Sequence, residues 1–412
     1  MRTVVVGGGL AGCAAALDLV DTGQEVTLLE ARPTLGGAVQ TLPERDGDPA
    51  PPPDNGQHIA LGCFTEYLRF LERIGSAGSL RRLPLSLPVL DERGRRAQIS
   101  RLSIALARYR HLPLRERTAL RALLAMRTAD AAAHDSETFA EFLLGLGESG
   151  RAVVRFWDVF IRPALNLPSR DASAAMGIFT VQTGLLAGRQ AGELLLPTAP
   201  LGWMHGDAVR SVLEGRGARV ETGHRVGDLG ELDADAIVVA VPPAESARLL
   251  GEPEPVLEES PIVSVHLLFD RPLLRSPLAA LLGSDAHWVF DRGALTGRPP
   301  QTGQYLTVVS SGVPELLALR GRELVARIAG ELTQRLGGAE LLWSRVSREP
   351  HATVALRPGT APLRPGPQTA LSNVVRAGTW TDTGWPATME SAIRSGRAAA
   401  RLLSGVKTKV PA

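Results

Sequence analysis

The first thirty residues constrain the fold more than any other part of the chain. An apolar run at residues 3–6, TVVV, leads into Gly7, Gly9 and Gly12, which have the spacing G-x-G-x-x-G. A helical stretch follows, and a second apolar run, EVTLLE, ends in Glu30, 18 positions after Gly12. Such glycines permit a tight turn, a close approach to a pyrophosphate and close helix packing, and the acid accepts hydrogen bonds from a ribose. The order predicts an α/β fold with a Rossmann-like dinucleotide-binding domain.

Length, charge and cysteine content limit the other classes of protein. A chain of 412 residues is long for one core, so we expect two domains. Forty-five basic and 43 acidic residues give a net charge of +2, which does not favour nucleic acid as a partner. The cysteines Cys13 and Cys63 provide neither a disulfide framework nor a metal cluster, and they fit a reducing compartment.

Membrane-spanning and secreted classes are also disfavoured. No apolar run reaches the roughly 18 residues that a spanning helix needs. Glycines interrupt the N-terminal run MRTVVVGGG where a signal peptide would continue its apolar region. We therefore expect a cytoplasmic protein with no metal ion, and the sequence carries no indication of its oligomeric state.

The residues after Glu30 indicate which dinucleotide is bound. The stretch EARPTLGG places Arg32, Gly36 and Gly37 directly after the acid. This resembles the FAD-binding two-dinucleotide-domain flavoproteins, in which a paired glycine follows the acid and lies along the cofactor. The resemblance implies FAD.

Two distant segments extend the resemblance. Residues 225–243 predict a return to the nucleotide domain, with a strand at 237–241 and Val226 where the family often contacts the adenine. Near the C-terminus, NVVRAGTW predicts a strand that ends at Gly378, and a long helix is expected from about Pro386. In the family this segment carries the flavin end of the cofactor.

Two positions depart from the family pattern. Ala38 stands where arginine usually follows the paired glycine, and Thr379 stands where aspartate usually bonds the ribityl chain. Threonine can still form a hydrogen bond, so we expect FAD binding to persist. The resemblance and the glycine pattern together predict cofactor contacts from Gly7, Gly9, Leu10, Ala11, Gly12, Glu30, Ala31, Arg32, Gly36, Gly37, Asn55, Gly56, Gln57, Val226, Gly378, Thr379, Pro386, Ala387, Thr388 and Met389.

The middle of the chain predicts a second, substrate-binding domain inserted into the first. Residues 97–200 have mainly helical patterns, IVSVHLLFD, HWVFDRG and QYLTVVSSG predict strands, and residues 314–337 predict a helix. The proline-rich residues 44–53 predict a loop. We assign residues 1–75, 205–250 and 350–412 to the FAD domain, and residues 76–204 and 251–349 to the α+β substrate domain.

A basic segment lies within the predicted helices. Pro113 divides it, and Leu120, Leu123 and Leu124 are expected to share a helical face. Its arginines are Arg101, Arg108, Arg110, Arg115, Arg117, Arg121 and Arg127. Such a helix can lie on an anionic membrane surface, or it can be an ordinary core helix with a solvated face.

The stretch DNGQHIALG raises a separate question, because polar side chains run directly into apolar ones. With RPALNLPSRDASA and TDTGWPATMESAIRSG, it resembles the squalene-associated FAD-dependent desaturases, the hydroxysqualene dehydroxylases, over residues 2 to about 402. These are relatives of phytoene desaturases among the amine-oxidase-like flavoproteins. The resemblance implies reductive removal of the hydroxyl of hydroxysqualene to give squalene.

This reaction needs a proton on the leaving oxygen and an enclosed path for a long hydrocarbon. We expect His58 or Asp54 as the acid, with Asn55 and Gln57 positioning the ring or substrate. Four aromatic side chains could line the hydrocarbon path: Phe156, Trp157, Phe160 and Trp203. The alternatives are a polar cluster that only anchors its loop, and aromatic side chains that only fill the core.

Two other functions fit the same pattern. The first is a carotenoid desaturase, which runs the redox chemistry in the opposite direction. The second is a carrier of the same fold that binds isoprenoid groups without catalysis. The intact glycine motif and flavin-end segment disfavour the carrier.

Overall fold

The computed structural model describes residues 1–100, 107–117 and 119–405. Its strands are β1 (Arg2–Val6), β2 (Glu25–Glu30), β3 (Ala60–Leu61), β4 (Leu80–Leu83), β5 (Ser86–Leu90), β6 (Arg96–Ser100), β7 (Leu194–Pro197), β8 (Arg219–Thr222), β9 (Ala236–Val239), β10 (Glu259–Phe269), β11 (Leu278–Leu281), β12 (Trp288–Asp291), β13 (Gln304–Ser311), β14 (Leu341–Val354) and β15 (Val374–Arg376).

The longer helices are α1 (Leu10–Asp21), α2 (Thr65–Arg73), α3 (Ala119–Thr128), α4 (Phe139–Gly145), α5 (Asp158–Leu165), α6 (Ala174–Val181), α7 (Ala208–Gly215), α8 (Pro243–Leu250), α9 (Arg292–Thr296), α10 (Gly321–Leu336) and α11 (Met389–Leu403). Shorter helical turns include Leu114–Glu116, Gly150–Ala152 and Pro314–Leu317, and π-helical segments are Val153–Trp157, Gln182–Leu186 and Gly202–Asp207.

The first sheet is parallel, as the N-terminal pattern predicts. Its strand order is β15-β9-β1-β2-β8, and all of its strands lie in residues 1–75, 205–250 and 350–412. Helices α1 and α11 pack together on it, and a Cβ on Gly396 would lie 2.0 Å from the carbonyl oxygen of Ala11. Only a glycine allows these two helices to approach so closely.

The second sheet has the order β14-β10-β13-β12-β11-β5-β6. Strand β10, which lies between β14 and β13, alternates in character, because Val263, Val265 and Leu267 join a buried cluster with Leu324 and Ile328 of α10. The opposite face of the same strand is polar. This alternation gives the sheet one face for its own helix and one face for another part of the chain.

The polar face of the second sheet receives the segment that contains the predicted loop. Ser264 and His266 lie on this face, and His266 is opposite Thr307 of β13 and Arg345 of β14. Arg345 forms an ion pair with Asp48, and the two side chains are only 6% and 3% exposed. The proline-rich residues 44–53 contain neither helix nor strand, but this buried pair holds them against the sheet.

Several elements differ from the sequence prediction. Arg96–Ser100 and Leu194–Pro197 are strands inside the range predicted as mainly helical. The second of them, β7, is central to a small antiparallel sheet with the order β3-β7-β4. The predicted helix at 314–337 is interrupted, so that α10 begins at Gly321. Short buried strands carry no helical or alternating signal of their own, which is why the prediction missed β7.

The three leucines that were predicted to share one face of the basic segment do not share the same environment. Leu123 is buried, whereas Leu120 and Leu124 are exposed. The core of α3 is formed by the buried side chains instead, which include Ala122 and Met126. Residues 101–106, with Arg101, lie outside the described residues.

Breaking the buried ion pair at Arg345 should destabilise the protein. Arg345→Met leaves the Asp48 carboxylate buried without its cation, and we expect a loss of about 3–5 kcal/mol in the free energy of unfolding. The matched control is Arg82→Met, because the Arg82–Glu193 pair is exposed and should contribute less than about 1 kcal/mol. Chemical denaturation of both variants measures this, and equal losses would contradict the anchoring role.

Candidate active site

The glycine turn between β1 and α1 has the geometry that a pyrophosphate needs. Gly7 has a φ of +108°, and a Cβ there would lie 2.3 Å from the carbonyl oxygen of Ala240. A Cβ on Gly12 would lie 1.9 Å from the carbonyl oxygen of Gly7. At Gly9 the nearest atom would be 3.8 Å away, so the backbone is accessible there. Two glycines thus allow the packing, and the third leaves room for a ligand.

The carboxylate of Glu30 lies beside this turn at the end of β2. Its Oε2 accepts a hydrogen bond of 2.6 Å from the backbone N–H of Gly8, and its Oε1 accepts one of 2.7 Å from that of Arg32. The side chain is buried. A carboxylate has about four acceptor sites, so Glu30 can also accept from ribose hydroxyls.

The paired glycines lie directly on the first turn. The backbone N–H of Gly36 donates to the carbonyl of Gly8 at 2.8 Å, and a Cβ on Gly37 would lie 2.8 Å from the Cα of Gly9. The two glycine motifs, which are 24 or more positions apart in the chain, are therefore in direct backbone contact. The other predicted residues of this end are Leu10 and Ala11, buried in α1, Ala31 and Arg32, exposed after β2, and Val226, buried in a cluster with Val6 and Leu29.

The predicted flavin-end segment joins α11 to the first sheet. Gly378 has a φ of +154°, and its backbone N–H donates to the hydroxyl of Ser395 at 3.0 Å. Thr388 is the N-cap of α11 and accepts from the backbone N–H of Ser391, so the helix begins three residues after Pro386. Ala387 packs beside Trp380, and Met389 is half-buried on the core side of α11.

Arg364 holds this segment in place, and the sequence prediction missed it. Its guanidinium donates to the carbonyls of Thr379, Thr381 and Trp385 at 3.0, 2.6 and 2.9 Å. The side chain is buried, and burial lowers the pKa of Arg364. Its partners are backbone atoms, so no sequence motif marks it.

Asp54 is held by protein groups on both carboxylate oxygens. Its Oδ1 accepts from the hydroxyl of Thr41 at 2.7 Å and from the backbone N–H of Leu201 at 3.0 Å. Its Oδ2 lies 2.8 Å from Nη2 of Arg292, and both side chains are almost fully buried. These contacts are those of an anchoring carboxylate.

The other residues of the run differ in the contacts that they make with the rest of the protein. Asn55 donates to the carbonyl of Ala38 at 2.8 Å and to Glu349 at 3.2 Å. A Cβ on Gly56 would lie 2.8 Å from the hydroxyl oxygen of Ser264, so the backbone presses on the polar sheet face there. Gln57 makes only a 3.3 Å contact with the carbonyl of His58.

His58 is half-buried and weakly held. Its Nε2 lies 3.4 Å from Oδ1 of Asn55. Burial lowers the pKa of His58, and the Asp54 carboxylate opposes part of this shift. The imidazole is therefore mainly neutral at pH 7, and a ligand can reach it.

A second histidine, His205, lies in the same region and was not predicted. Its Nε2 lies 2.8 Å from the hydroxyl of Tyr67, and its Nδ1 lies 2.9 Å from the carbonyl of Leu201. A carbonyl only accepts, so Nδ1 carries the proton and Nε2 accepts from Tyr67. The pKa of His205 is lowered to about 4, mainly by burial and to a smaller extent by nearby His58, while the hydrogen bond to the carbonyl of Leu201 opposes the shift. Its uncharged ring is a fixed structural element.

The predicted aromatic residues separate into two groups. Phe156 and Trp157 are buried with ring centroids 5.1 Å apart, and Phe160 lies 5.6 Å from Phe156. Trp203 is 47% exposed and lies outside this cluster, because it belongs to a different helical segment. Phe156, Trp157 and Phe160 thus form one cluster, and Trp203 is a separate, exposed side chain.

Half-buried apolar side chains lie beside the flavin-end segment instead. Phe179 and Trp385 have ring centroids 5.1 Å apart, and Met176 packs against the cluster of Trp380 and Leu356. None of these was predicted, although Trp385 lies within TDTGWPATMESAIRSG. Among the described residues, no group of three or more His, Cys, Asp or Glu side chains is arranged to hold a metal ion.

Comparison with known proteins identifies the family of the chain. The chain matches the family described as "Flavin containing amine oxidoreductase" over residues 10–190 and 203–404. It is 30% identical to the hydroxysqualene dehydroxylase of Rhodopseudomonas palustris over 97% of both chains. It is 28% identical to that of Sinorhizobium fredii, and 26% identical to the zeta-carotene desaturase of Synechocystis over 98% of this chain and 97% of the relative.

Solved structures show the same fold at lower identity. A putative protoporphyrinogen oxidase from Exiguobacterium is 17% identical, with a TM-score of 0.74 over 98% of this chain and 99% of its own. Cyclohexylamine oxidase from Brevibacterium oxydans is 19% identical, with a TM-score of 0.72 over 98% of both chains. The open backbone at Gly9 and the acceptor sites of Glu30 fit FAD as the cofactor. The chain thus belongs to the flavin-containing amine oxidoreductases, as an FAD-dependent oxidoreductase.

Proposed function

We propose that this oxidoreductase removes the hydroxyl of hydroxysqualene to give squalene. The observation that carries the proposal is the similarity to two hydroxysqualene dehydroxylases over 97% of each chain. The polar run at residues 54–58 agrees with it, because the reachable imidazole of His58 comes directly after Asp54 and Asn55, which bond to both proposed domains. The substrate class, a lipophilic isoprenoid, is common to these relatives and to the desaturase.

The reaction breaks one carbon–oxygen bond, and the oxygen leaves as water after it gains a proton. When bound and reduced, FAD supplies the hydride that fills the carbon. The chain must therefore hold the hydrocarbon, exclude bulk water and provide a hydrogen-bond donor at the hydroxyl. We assign this role to His58, whose ring is reachable and weakly held. Its neutral imidazole would donate its N–H to the leaving oxygen and take up a proton from water at its other nitrogen. We assign Asp54 a positioning role, because both of its oxygens are already bonded.

The apolar half-buried side chains support a path for a hydrocarbon. Met176, Phe179 and Trp385 have partly accessible apolar surface beside the flavin-end segment, and Phe160 has it on α5. Phe156 and Trp157 lie behind Phe160 and hold it in place. Aromatic faces also tolerate positive charge that develops at an allylic carbon.

A carotenoid desaturase is the second candidate. The 26% identity to a zeta-carotene desaturase over nearly the whole chain favours it. Such an enzyme removes hydrogen from its substrate and leaves the flavin reduced. A non-catalytic carrier is the third candidate, and a purified protein without a flavin spectrum would favour it.

We propose also that the protein contacts a membrane peripherally. None of the helices in the described ranges is long and apolar enough to cross a bilayer. Six arginines and one glutamate lie between residues 108 and 127, which favours attraction to anionic lipid.

Product analysis separates the first two candidates. Purified protein with FAD and a reductant, incubated with hydroxysqualene in the absence of oxygen, should form squalene. The same protein with oxidised flavin should not desaturate phytoene or zeta-carotene. Formation of a desaturated product with no squalene would favour the desaturase.

Substitution of Glu30 tests the cofactor assignment. Glu30→Arg places a cation on the ribose side and removes two acceptors, so we expect loss of bound flavin from a folded protein. Glu25→Arg is the matched control, because Glu25 is an exposed acid at the other end of the same strand. Flavin absorbance and the melting temperature are measured for both, and full flavin in Glu30→Arg would show that the assignment is wrong.

Substitution of His58 tests the donor role. His58→Ala should lower the single-turnover rate of hydroxysqualene reduction by about 10²–10⁴-fold while flavin stays bound. His224→Ala at an exposed histidine should leave the rate unchanged. If His58→Ala instead loses stability and flavin but keeps its rate per bound flavin, the residue only anchors its loop.

A further inference from the structure

A group of exposed apolar side chains lies on the helical part of the substrate domain. We call these residues the apolar patch: Leu114, Leu120, Leu124, Leu144 and Val154, which are 78%, 55%, 59%, 49% and 58% exposed. They are five of the twelve large apolar side chains that the described residues expose, and they fall within 41 positions of a chain of 412. Such a concentration is unlike the scattered exposure that is normal for a soluble surface.

Contacts between the elements bring the patch residues to one region. Leu120 and Leu124 are one turn apart on α3 and point outward. Arg121 lies between them in the chain, and Gly147 lies just after α4. A Cβ added to Gly147 would be 3.7 Å from a guanidinium nitrogen of Arg121. This puts the outer side of α3 next to the end of the helix that carries Leu144.

A hydrogen bond connects the two segments that carry Leu114 and Val154, the first and last residues of the patch. Glu116, in the turn that carries Leu114, accepts a hydrogen bond of 2.7 Å from the hydroxyl of Ser149. Ser149 caps the helical segment on which Val154 lies one turn later. The exposed turn and the exposed valine are therefore neighbours.

Cations surround the patch on the same elements. Arg115, Arg121 and Arg127 are exposed along the turn and α3. Beside Val154, a surface cleft of about 400 Å³ is lined by Glu92, Arg93, Arg95, His111, Arg151 and Arg155. Glu92 pairs with Arg155 at 2.7 Å, Asp91 pairs with Arg95 at 2.7 Å, and Glu116 lies 3.7 Å from Arg151. The four arginines of the cleft exceed these three carboxylates by one positive charge at the border of the patch.

We propose that the apolar patch inserts into the interface of an anionic lipid bilayer, with the arginines at the level of the phosphates. Leucines at the acyl boundary and arginines among the headgroups are the two components of interfacial binding. The charge favours lipid over a protein partner, because the cations are spread around the patch and match a uniform anionic plane.

This inference rests on the proposed function in one respect, which is that the substrate is a membrane-soluble isoprenoid. Val154 is exposed in the patch, and Phe156 and Phe160 follow it on the same continuous helix. A molecule leaving the bilayer beside Val154 is thus within about two helical turns of the aromatic cluster. The patch would give the substrate a path that avoids water.

The test is flotation of the full chain with bound FAD on vesicles of phosphatidylcholine, with and without phosphatidylglycerol, at low and high salt. Wild-type protein should bind the anionic vesicles, and the apolar component should leave part of this binding at high salt. Leu120→Asp/Leu124→Asp should weaken binding at least about tenfold at both salt concentrations. Arg121→Gln/Arg127→Gln should weaken it about fivefold per arginine, at low salt only.

The matched control is Leu342→Asp/Leu371→Asp, which changes two leucines of similar exposure outside the patch. Melting temperature and flavin content establish that each variant is folded, and Leu120→Gln/Leu124→Gln is a milder form of the first variant. Equal binding of patch and control variants, or equal recovery on neutral and anionic vesicles, would overturn the proposal. Activity on detergent-dispersed hydroxysqualene should be unchanged in the patch variants, so a failure of the reaction is distinguishable from a failure of the surface.

Discussion

The site depends on the burial of two carboxylates, Asp48 and Asp54, against one arginine of strand β14 and one of helix α9. Asp48 pairs with Arg345 and Asp54 pairs with Arg292, and all four side chains are nearly inaccessible to water. These contacts fasten the segment that follows the paired glycines onto the polar face of the second sheet. The nucleotide turn and the substrate sheet therefore keep one relative position at the point where they meet.

Ion pairs are an expensive way to join two surfaces, because each ion loses its hydration. Their advantage here is specificity of register. An apolar interface between residues 44–57 and the sheet could slide, whereas each carboxylate pairs with one particular arginine. The backbone carbonyls of Pro43 and Pro52 also accept from Arg345 and Arg292. Each arginine thus bonds both a carboxylate and the backbone of the loop, which fixes a segment that has no helix or strand of its own.

What the sequence could predict was local. The strand, glycines, helix and acid of the first thirty residues are contiguous, and each has a geometric requirement that one residue type satisfies. The partners of Asp54 could not be predicted, because Arg292 is 238 positions away and follows no motif. Arg364 binds only backbone carbonyls, so its role leaves no pattern of paired charges. The outward direction of Leu120 was also inaccessible to periodicity, since Leu120 and Leu123 are three positions apart and the structure buries only Leu123, together with Ala119, Ala122 and Met126.

The regions around the nucleotide turn and around the proposed hydrocarbon path are built from different kinds of contact. Around the nucleotide, glycines allow backbone to touch backbone, and Gly7, Gly12 and Gly37 have no space for a Cβ. Around the substrate, the reachable surface comes from half-buried side chains such as Phe179 and Trp385, whose rings can shift without moving the backbone. His58 lies at the border of these two regions, directly after the anchored residues. Its backbone follows an anchored segment and its ring is weakly held, which suits the hydrogen-bond donor role that we propose for it.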